Sequence, residues 1–546
     1  MIAGAARPRA AAAAVLAALG MAMLVVACAS PPQVVEISPQ RGALDVRSSE
    51  AVRIKFDRPM NRGSVGAHFH VEPRVQGSVS WKSDSELTFE HAPFNPSSDY
   101  QVVLDPGYQD AQGTANSFRH SWSFHTEGAP GLSGSAPGPG DRDVDPAAYI
   151  TLTFSREMDP GSLNGALSIS PAAPFVIHQD PGDARHVTLA PQALLEPRTE
   201  YTVTVGREAR DVDGNRLGAG ATVAFDTGDF RPLKHWISFI AESSPGTGGS
   251  GVWVVNESRV PRRLVDTPVS AFSWSADGSR LLLRSPSGAW ADQPLDGSSV
   301  ALPFTGEWAD YLARGLGYVY LNQGRLQLYQ PGRDVVTVAT DVTSAAVAPG
   351  GERLAFAVRD PARADRAAEI DGYDAVLRTR YRLQTEPDLV DGLTWSADGQ
   401  SLAYRVDATE TARRQVRVRS LHDGSTVTVA TGDVSPPVWQ ADRQHVFFTA
   451  SLPTSTGPLT RVFRFAVSDG SPHALTPAAG MAAGQDVEVR QLSPSPDGHQ
   501  LAFLAEAGGR PGVWAMNADG TGVTQLTDPD LGRFPYSSRD VAWTPS

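Results

Sequence analysis

The sequence predicts an all-β protein in which two β-sandwiches are followed by a β-propeller, with seven blades favoured and six possible. A strand–turn–strand motif recurs along the second half of the chain, and a longer unit occurs twice in the first half. The 51 glycines and 42 prolines interrupt the sequence at short intervals, and helical periodicity is scarce. Short strands joined by tight turns are expected from such a pattern.

The recurring motif is clearest at residues 273–283, S-W-S-A-D-G-S-R-L-L-L, and returns at 394–404 as T-W-S-A-D-G-Q-S-L-A-Y. Asp-Gly favours a turn because the Asp side chain bonds nearby backbone groups and Gly accepts a positive φ. The strand after the turn is apolar at consecutive positions, such as Leu281, Leu282 and Leu283, which indicates that both of its faces are covered. Blades that stack around an axis bury their strands in this way. Weaker copies occupy 347–356, 438–448 and 493–503.

The number of blades follows from the inner strand that precedes each turn. Residues 236–266 supply three strands without an inner one, whereas 541–546 is an inner strand without a blade. Pairing the two segments would close the ring and remove exposed sheet edges. Tryptophan recurs at these inner positions, which favours packing between blades over stacking on a carbohydrate. The seven inner strands are centred on Trp274, Trp308, Val347, Trp395, Trp439, Leu492 and Trp543.

Residues 34–126 and 143–228 look like two copies of one unit. The segment V-R-I-K-F-D-R-P-M-N at 52–61 corresponds to I-T-L-T-F-S-R-E-M-D at 150–159. A repeat of about 100 residues with alternating apolar positions is typical of a β-sandwich. The first half of the chain is therefore predicted to form two sandwiches.

The two joins between these units differ in composition. Residues 127–142 are rich in Gly and Pro, which predicts a linker that does not pack. Residues 229–234 are a short join, so we expect the second sandwich to lie tightly against the propeller at 235–546.

The N-terminus is typical of a secretory signal over residues 1–27, because two arginines precede an uncharged run of 18 residues at 10–27. The run ends in V-V-A-C, which resembles the bacterial lipobox. That resemblance implies that Cys28, the sole cysteine, is acylated with diacylglycerol and begins the mature protein, with 28–33 as anchor and tether. An uncleaved membrane helix is the alternative, because a run of this length just suffices to span a bilayer.

Both halves of the chain also resemble known families. The two sandwich units share an F-x-x-x-M-[DN] turn, a Y-x-V-x-[VL] strand and a D-x-x-G turn in the same order, and resemble the bacterial Ig-like domain of the SbsA S-layer type. The C-terminal part resembles the TolB-like, WD-related propeller through the W-S-x-D-G-x-x-[LI]-A-[FY] core and the hairpin at 513–527. TolB itself has six blades, so a count of seven departs from that parent.

Few motifs indicate chemistry. No G-x-S-x-G elbow follows the propeller, and no G-x-x-x-x-G-K-[ST] loop occurs. D-V-D-G-N at 211–215 resembles the start of a calcium loop, but Thr222 stands where such a loop needs Glu, so a structural turn is favoured. His68 and His70 would share one face of a strand without a third ligand near them in sequence. We therefore predict no metal and no cofactor. The formal net charge of −13 gives no support for nucleic-acid binding.

A basic stripe on this acidic protein is the candidate binding surface. Arg378, Arg380 and Arg382 alternate along an outer strand within 359–390. A solvated outer strand is the alternative interpretation, and an edge that accepts a partner strand or acidic groups is the functional one. We expect reversal of the three charges to weaken binding with little effect on stability, because exposed charges contribute little.

The sequence thus favours an extracytoplasmic lipoprotein, held to a membrane by its lipid anchor on the periplasmic face or at the cell surface. Its expected function is noncatalytic binding or scaffolding of an envelope protein or cell-wall glycan. The alternative is an extracytoplasmic propeller hydrolase or lyase with its site in the central funnel. Carboxylates or histidines in the funnel would favour the enzyme, and small neutral groups would favour binding. The sequence identifies neither the partner nor the oligomeric state.

Overall fold

The structure is a computed structural model, and the chain forms two compact units within it. The first unit consists of Met1–Gly131 with Arg210–Gly218, and the second of Leu132–Ala209 with Ala219–Ser546. The predicted signal segment at 1–27 and Cys28 lie outside the described residues. Within the described ranges, no helix combines the length and apolar character that crossing a membrane requires. These ranges are 30–180, 182–242, 251–359, 367–408, 413–454, 457–468, 470–476, 489–507, 510–527 and 537–545.

The first unit contains a β-sandwich. Its elements are β1 (Val34–Ser38), β2 (Val52–Phe56), α1 (Arg62–His68), β3 (Phe69–Glu72), β4 (Gly77–Ser83), β5 (Glu86–His91), β6 (Asp99–Leu104) and β7 (His120–His125). One sheet has the order β1-β2-β5-β4 and the other β3-β6-β7. Strand β2 shows why the sheets pack, because Val52, Ile54 and Phe56 are buried while Arg53 and Lys55 between them are exposed. This alternation gives the sheet one apolar face, which covers the core between the two sheets.

The second sandwich repeats this topology inside the second unit. Its elements are β8 (Leu132–Ala136), β9 (Ile150–Phe154), α2 (Pro160–Ala166), β10 (Leu167–Ser170), β11 (Phe175–Asp180), β12 (Asp183–Pro191), β13 (Glu200–Val205) and β14 (Ala221–Asp226). The sheets have the orders β11-β12-β9-β8 and β10-β13-β14. Strand for strand, these orders match those of the first sandwich, as the sequence repeat predicts.

The prediction that residues 127–142 form an unpacked linker is wrong for part of that segment. Residues 132–136 form β8, an edge strand that pairs with β9 from Leu132↔Phe154 to Ala136↔Thr151. A bulge lies between Leu132 and Gly134. Glycine and small polar residues are tolerated there because an edge strand is paired on one side only and a bulge needs little side-chain packing. The composition that indicated a linker therefore fits an edge strand equally well.

The described residues of the propeller form seven four-stranded sheets, and the prediction of seven blades is confirmed. The ring closes as the sequence predicts, because β42 (Ser537–Trp543) supplies the inner strand of the first blade by pairing with β15 (Ile237–Glu242), with Ile237 opposite Trp543. Its strands, in chain order, are β15 (Ile237–Glu242), β16 (Gly251–Val255), β17 (Arg262–Arg263), β18 (Ala271–Trp274), β19 (Arg280–Arg284), β20 (Ala289–Pro294), β21 (Val300–Thr305), β22 (Trp308–Tyr311), β23 (Tyr318–Asn322), β24 (Arg325–Tyr329), β25 (Val336–Ala339), β26 (Val342–Val347), β27 (Arg353–Arg359), β28 (Ala368–Asp374), β29 (Thr379–Glu386), β30 (Val390–Trp395), β31 (Ser401–Ala408), β32 (Arg413–Ser420), β33 (Thr426–Gly432), β34 (Val438–Trp439), β35 (His445–Thr454), β36 (Gly457–Ala466), β37 (Pro472–Ala474), β38 (Val489–Pro494), β39 (Gln500–Ala507), β40 (Arg510–Asn517), β41 (Thr524–Gln525) and β42 (Ser537–Trp543).

The inner-strand tryptophans pack between blades, as predicted. Trp395 lies in an apolar cluster shared by the fourth blade (β26–β29) and the fifth (β30–β33). Trp439 lies in a cluster shared by the fifth blade and the sixth (β34–β37). Trp543 lies in a cluster between the seventh and first blades. All three are buried, so their rings serve the core and are not displayed for a carbohydrate.

Within the second unit, the second sandwich packs against the first blade. Leu233, Trp236 and Val254 are buried there together with partly buried Tyr149 and Leu194 of the sandwich. The short join at 229–234 leaves little chain between the two modules. The apolar cluster makes their contact part of a common core.

Candidate functional site

The arginine stripe lies on the hairpin formed by β28 and β29. This blade has the order β26-β27-β28-β29, so β29 is its outermost strand. The Asp374 carboxylate shapes the turn by accepting the backbone N–H groups of Val376 at 2.9 Å and Leu377 at 2.7 Å. Arg378 ends the turn with φ of 55°. An Asp that bonds the backbone two and three residues on is a common way to fix a tight turn.

Two of the three predicted arginines are already paired. Asp371 on β28 is only 2% exposed. It accepts hydrogen bonds from Nε of Arg380 at 2.5 Å and Nε of Arg382 at 2.6 Å. Arg382 also donates to Glu369 through Nη2 at 2.5 Å. The stripe is therefore largely neutralised, and the expectation that reversing all three charges would leave stability unchanged is wrong, because reversal would bury Asp371 among carboxylates.

The third arginine stands beside exposed apolar side chains. Within the described part of the chain, no carboxylate forms an ion pair with Arg378. Leu377 is 71% exposed, and Val376 and Tyr381 are exposed as well. We call Val376, Leu377, Arg378 and Tyr381 the hairpin patch. Exposed apolar and aromatic side chains grouped with arginine are typical of protein–protein contact sites.

Sequence reasoning found Arg378 and missed the apolar part of the patch. The available signal was the segment D-A-V-L-R at 374–378, which places two large apolar residues in a tight turn. Turns usually carry polar residues because they face solvent. Val376 and Leu377 therefore depart from the composition expected of a solvent-facing turn.

A second candidate lies on the inner strands of the propeller. In each blade, the inner strand pairs with the next strand in a defined register. These registers align the seven inner strands, so that one position can be compared across all seven blades. The residues at this position are Ser273, Asp310, Ala346, Thr394, Val438, Ser493 and Ala542. Six are small or neutral, and Asp310 is the carboxylate among these described residues. The same pairing shows that Tyr311, and not Trp308, corresponds to Trp274, and that Pro494, and not Leu492, does so in the seventh blade.

Asp310 is set between two neighbouring inner strands. Ser273 on β18 donates its hydroxyl to Asp310 Oδ1 at 2.9 Å, and the backbone N–H of Tyr311 donates to the same oxygen at 2.8 Å. Burial raises the pKa of Asp310 to about 6, although both hydrogen bonds favour the ionised form. A carboxyl group that titrates near neutral pH could transfer a proton, so this is the position that favours an enzyme.

A carboxylate near Asp310 has a different role. Asp292 is buried and accepts hydrogen bonds from the hydroxyls of Tyr311 at 2.8 Å and Tyr318 at 2.6 Å. Arg280 donates to both of its oxygens, the shorter bond being 2.6 Å. With its oxygens occupied by protein donors, Asp292 holds the second and third blades together and has no free position for a substrate.

The predicted structural turn at 211–215 brings acidic groups together. Asp211 accepts the backbone N–H groups of its own loop, and Asp110 in the first sandwich does the same. The guanidinium of Arg47 donates to the Asp213 carboxylate, with 2.9 Å between Nη2 and Oδ1. The geometry is that of an Asx turn with a protein cation beside it, which matches the structural interpretation. The carboxylates that lie within 4.8 Å of one another are those of Glu127, Asp211 and Asp213.

The expectation that His68 and His70 share a strand face is wrong. His68 is the last residue of α1, where its Nδ1 lies 2.7 Å from the carbonyl of Ser64. His70 lies on β3, with Nε2 3.1 Å from Glu72. The helix ends between the two imidazoles, so they do not form a ligand pair.

The comparisons with known proteins agree with this architecture. Residues 29–126 and 127–227 each match the bacterial Ig-like domain family. The second match includes β8, in agreement with its place in the second sandwich. No curated protein matches the sequence.

Several solved structures are similar in fold. TolB from Acinetobacter baumannii is 12% identical, with 70% of this chain and 83% of that chain covered and a TM-score of 0.38. A putative TolB from Agrobacterium tumefaciens is 17% identical, with 57% and 98% covered and a TM-score of 0.35. A putative 6-phosphogluconolactonase from Bacteroides uniformis is 12% identical, with 53% and 94% covered and a TM-score of 0.37. The predicted order of two bacterial Ig-like modules before a propeller is confirmed by the family matches and by the seven four-stranded sheets of the ring.

Proposed function

We propose that the protein is an extracytoplasmic binding or scaffolding module, tethered to a membrane by lipid on Cys28, and that the hairpin patch contacts an envelope protein. The observation that carries this proposal is the grouping of exposed Val376, Leu377 and Tyr381 with Arg378. A monomeric protein gains nothing in stability from apolar side chains that face water. Their presence at the tip of one outer hairpin is explained by a partner that covers them.

The chemistry of the patch defines the partner. Arg378 lacks an ion pair among the described residues, so an acidic group on the partner would be matched there. The apolar side chains favour a protein over a glycan, because a protein can bury them. Strand β29 is also the end strand of its sheet, and its free edge could accept one strand of the partner.

The double variant Leu377→Ala with Arg378→Glu tests the patch. Both side chains are exposed and hold no buried group, so the melting temperature should stay near that of the wild type. Arg380 and Arg382 are left intact because they hold Asp371. Capture of a partner from native envelope should fall by about tenfold or more, since central interface residues contribute this much to affinity.

Arg333→Glu is the matched control for this experiment. Arg333 is exposed in the turn between β24 and β25, which is the equivalent turn of the neighbouring blade. The control should capture the partner as well as the wild type does. Equal capture by the double variant and the control would contradict a contact at the hairpin patch. If added soluble cell-wall glycan competes with the partner and abolishes its capture, the surface is assigned to a glycan partner.

The lipid anchor has its own test. Mass spectrometry of the mature protein should find Cys28 at the N-terminus carrying diacylglycerol. Cys28→Ser should stay unprocessed and without lipid. A mature protein that starts at another residue, or a lipid-labelled Cys28→Ser variant, would contradict the anchor.

The alternative function is an extracytoplasmic hydrolase or lyase. The observation in its favour is Asp310, whose pKa lies near 6 on an inner strand of the propeller. Turnover of a glycan, peptide or ester substrate by the purified protein, abolished by Asp310→Asn, would replace the binding proposal.

A further inference from the structure

The end of the first sandwich from which Ser30 emerges carries an exposed aromatic side chain. Phe118 lies in the connection between β6 and β7 and is 66% exposed. Val35, at the start of β1, is exposed as well. A large apolar side chain left in water near a point of attachment indicates a surface that is covered in use.

The buried side chain of Asn116 ties Phe118 to the N-terminal segment. Its Nδ2 donates to the carbonyl of Pro32 at 2.8 Å, and its Oδ1 accepts the backbone N–H of Phe118 at 2.7 Å. Because both bonds end on one amide group, Pro32 O and Phe118 N are held within about 8 Å of each other. Arg58 fixes the segment further by donating to the carbonyl and hydroxyl of Ser30 at 3.0 and 3.3 Å.

We propose that Phe118 contacts the lipid surface beside the anchor. This inference rests on the proposed acylation of Cys28. Two residue steps separate Cys28 from Ser30 and span about 7 Å at most. Acyl chains on Cys28 therefore bring this end of the sandwich against the lipid headgroups. An aromatic ring that projects there enters the boundary between headgroups and acyl chains, as exposed Phe side chains of membrane-surface proteins do.

The contact is apolar, because the arginine that bonds Ser30 and the arginine that follows Phe118 are already paired. Arg58 Nη2 bonds Asp57 at 2.8 Å, and Arg119 Nε lies 3.5 Å from Asp105. These carboxylates cancel the attraction that the two arginines would have for anionic lipid. The contact should therefore depend neither on anionic headgroups nor on salt.

A fluorescent label placed beside Phe118 tests this contact in the full-length acylated protein. Acylation consumes the thiol of Cys28, the sole cysteine, so Ser117→Cys supplies one reactive thiol and leaves Phe118 in place. The labelled protein is reconstituted in phosphatidylethanolamine and phosphatidylglycerol vesicles that contain a brominated lipid as quencher. Label at residue 117 should be quenched, and adding Phe118→Ser should reduce the quenching several-fold.

Leu44→Cys is the matched control. Leu44 is 75% exposed. It lies beside the opposite end of β7, where the N–H of Gly42 donates to Ser123 and that of His125 donates to Ala43. Strand β7 has six residues, so the two labels are separated by roughly 15 Å or more along the strand. Label at residue 44 should escape quenching.

The outcomes separate the contact from the anchor. Equal quenching at residues 44 and 117 overturns the contact, as does quenching at residue 117 that vanishes at high salt or in phosphatidylcholine vesicles. Mass spectrometry of the same sample reports the acyl chains. An unquenched label in an acylated protein overturns the contact alone, whereas a Cys28 without lipid overturns the anchor on which the contact depends.

Discussion

The balance between burial and hydrogen bonding is most informative at Asp310. Its carboxylate has two donors, the Ser273 hydroxyl and the Tyr311 backbone N–H. Neither donor carries a charge, and burial prevails, so the pKa of Asp310 rises from 3.8 to about 6. The Asp391 carboxylate on β30 has a cationic donor instead, because Arg405 donates to its two oxygens at 2.8 and 2.6 Å. A nearby cation thus distinguishes two carboxylates that both lie on inner strands.

This difference makes the stability of an Asp310→Asn variant depend on pH in a defined direction. Below about pH 4, Asp310 is protonated in both the folded and the unfolded wild type, so the variant has no advantage. As pH rises from about 4 to 6, Asp310 ionises in the unfolded chain while burial keeps it protonated in the folded wild type, so the wild type loses up to roughly 3 kcal/mol of stability, and the loss is complete above pH 6. Thermal melting between pH 4 and 7.5 should therefore show the variant gaining on the wild type as pH rises.

Asp391→Asn is the control, because it removes a carboxylate that Arg405 neutralises. The Asp391→Asn variant should not become more stable than the wild type at high pH, since Arg405 is left without its partner. A difference between Asp310→Asn and the wild type that stays flat over the whole pH range would contradict the raised pKa.

The arginine stripe shows what sequence spacing can and cannot predict for single residues. Alternation on a strand correctly indicates that Arg380 and Arg382 lie on one face. It cannot reveal Asp371, which belongs to the neighbouring strand and comes opposite Arg382 only through the register of β28 with β29. Register depends on turn geometry and on bulges, and a bulge occurs in this pair between Ile370 and Asp371. The positions of the arginines could be predicted, and their neutralisation could not.

At the scale of elements, composition alone misjudged β8. Its sequence, L-S-G-S-A, contains few residues with strand propensity, and only the sheet of the second sandwich explains its conformation. The propeller strands were more predictable. Their runs of apolar residues and the Asp-Gly turns report burial and backbone conformation directly, so blade number and ring closure could be derived without a structure.

Strand β42 makes the first blade dependent on the last residues of the chain. Trp543 is buried between the seventh and first blades, and its backbone N–H donates to Ser493 Oγ at 3.0 Å. Deleting residues 537–546 removes the inner strand of the first blade and exposes the apolar side chains of the seventh blade that pack against Trp543. The loss of stability should far exceed the ~1 kcal/mol of a typical substitution, and the propeller should fail to fold.

Circular dichroism and thermal melting of the deletion variant test this closure. A chain that ends at Pro545 is the control and should melt like the wild type. The second sandwich is expected to weaken as well, because Thr544 holds Trp236, which packs against that sandwich. The backbone N–H of Thr544 donates to the carbonyl of Trp236, and the backbone N–H of Trp236 donates to Thr544 Oγ1. A deletion variant that keeps the melting temperature of the wild type would show that the ring does not depend on β42.

At the scale of the molecule, the second unit joins a sandwich and a propeller through one buried cation. Arg262 on β17 is fully buried. Its guanidinium donates to the carbonyls of Ala147 at 2.6 Å and Ala148 at 3.1 Å. It also lies over the ring of Tyr149, with 3.9 Å between Cζ and the ring centroid. Burial lowers the pKa of Arg262, which shows that the site costs free energy to charge and depends on these partners.

This arrangement predicts that the second sandwich and the propeller unfold together. Arg262→Ala should destabilise the second unit by about 3–5 kcal/mol, because two buried carbonyls lose their donors and Tyr149 and Trp236 face a cavity. Arg262→Lys should be nearly as harmful, since an ammonium group can neither reach both carbonyls in one plane nor stack on Tyr149. The exposed Arg259 provides the control, and Arg259→Ala should be neutral.

Calorimetry distinguishes loss of coupling from general destabilisation. In the wild type, the second sandwich and the propeller should give one transition, because the cluster around Trp236 and Val254 belongs to both. In Arg262→Ala, that transition should divide in two, as the sandwich melts before the seven-bladed ring. A single transition that only moves to lower temperature would mean that the apolar cluster couples the modules without Arg262. Separate transitions already present in the wild type would show that the short join at 229–234 leaves them independent.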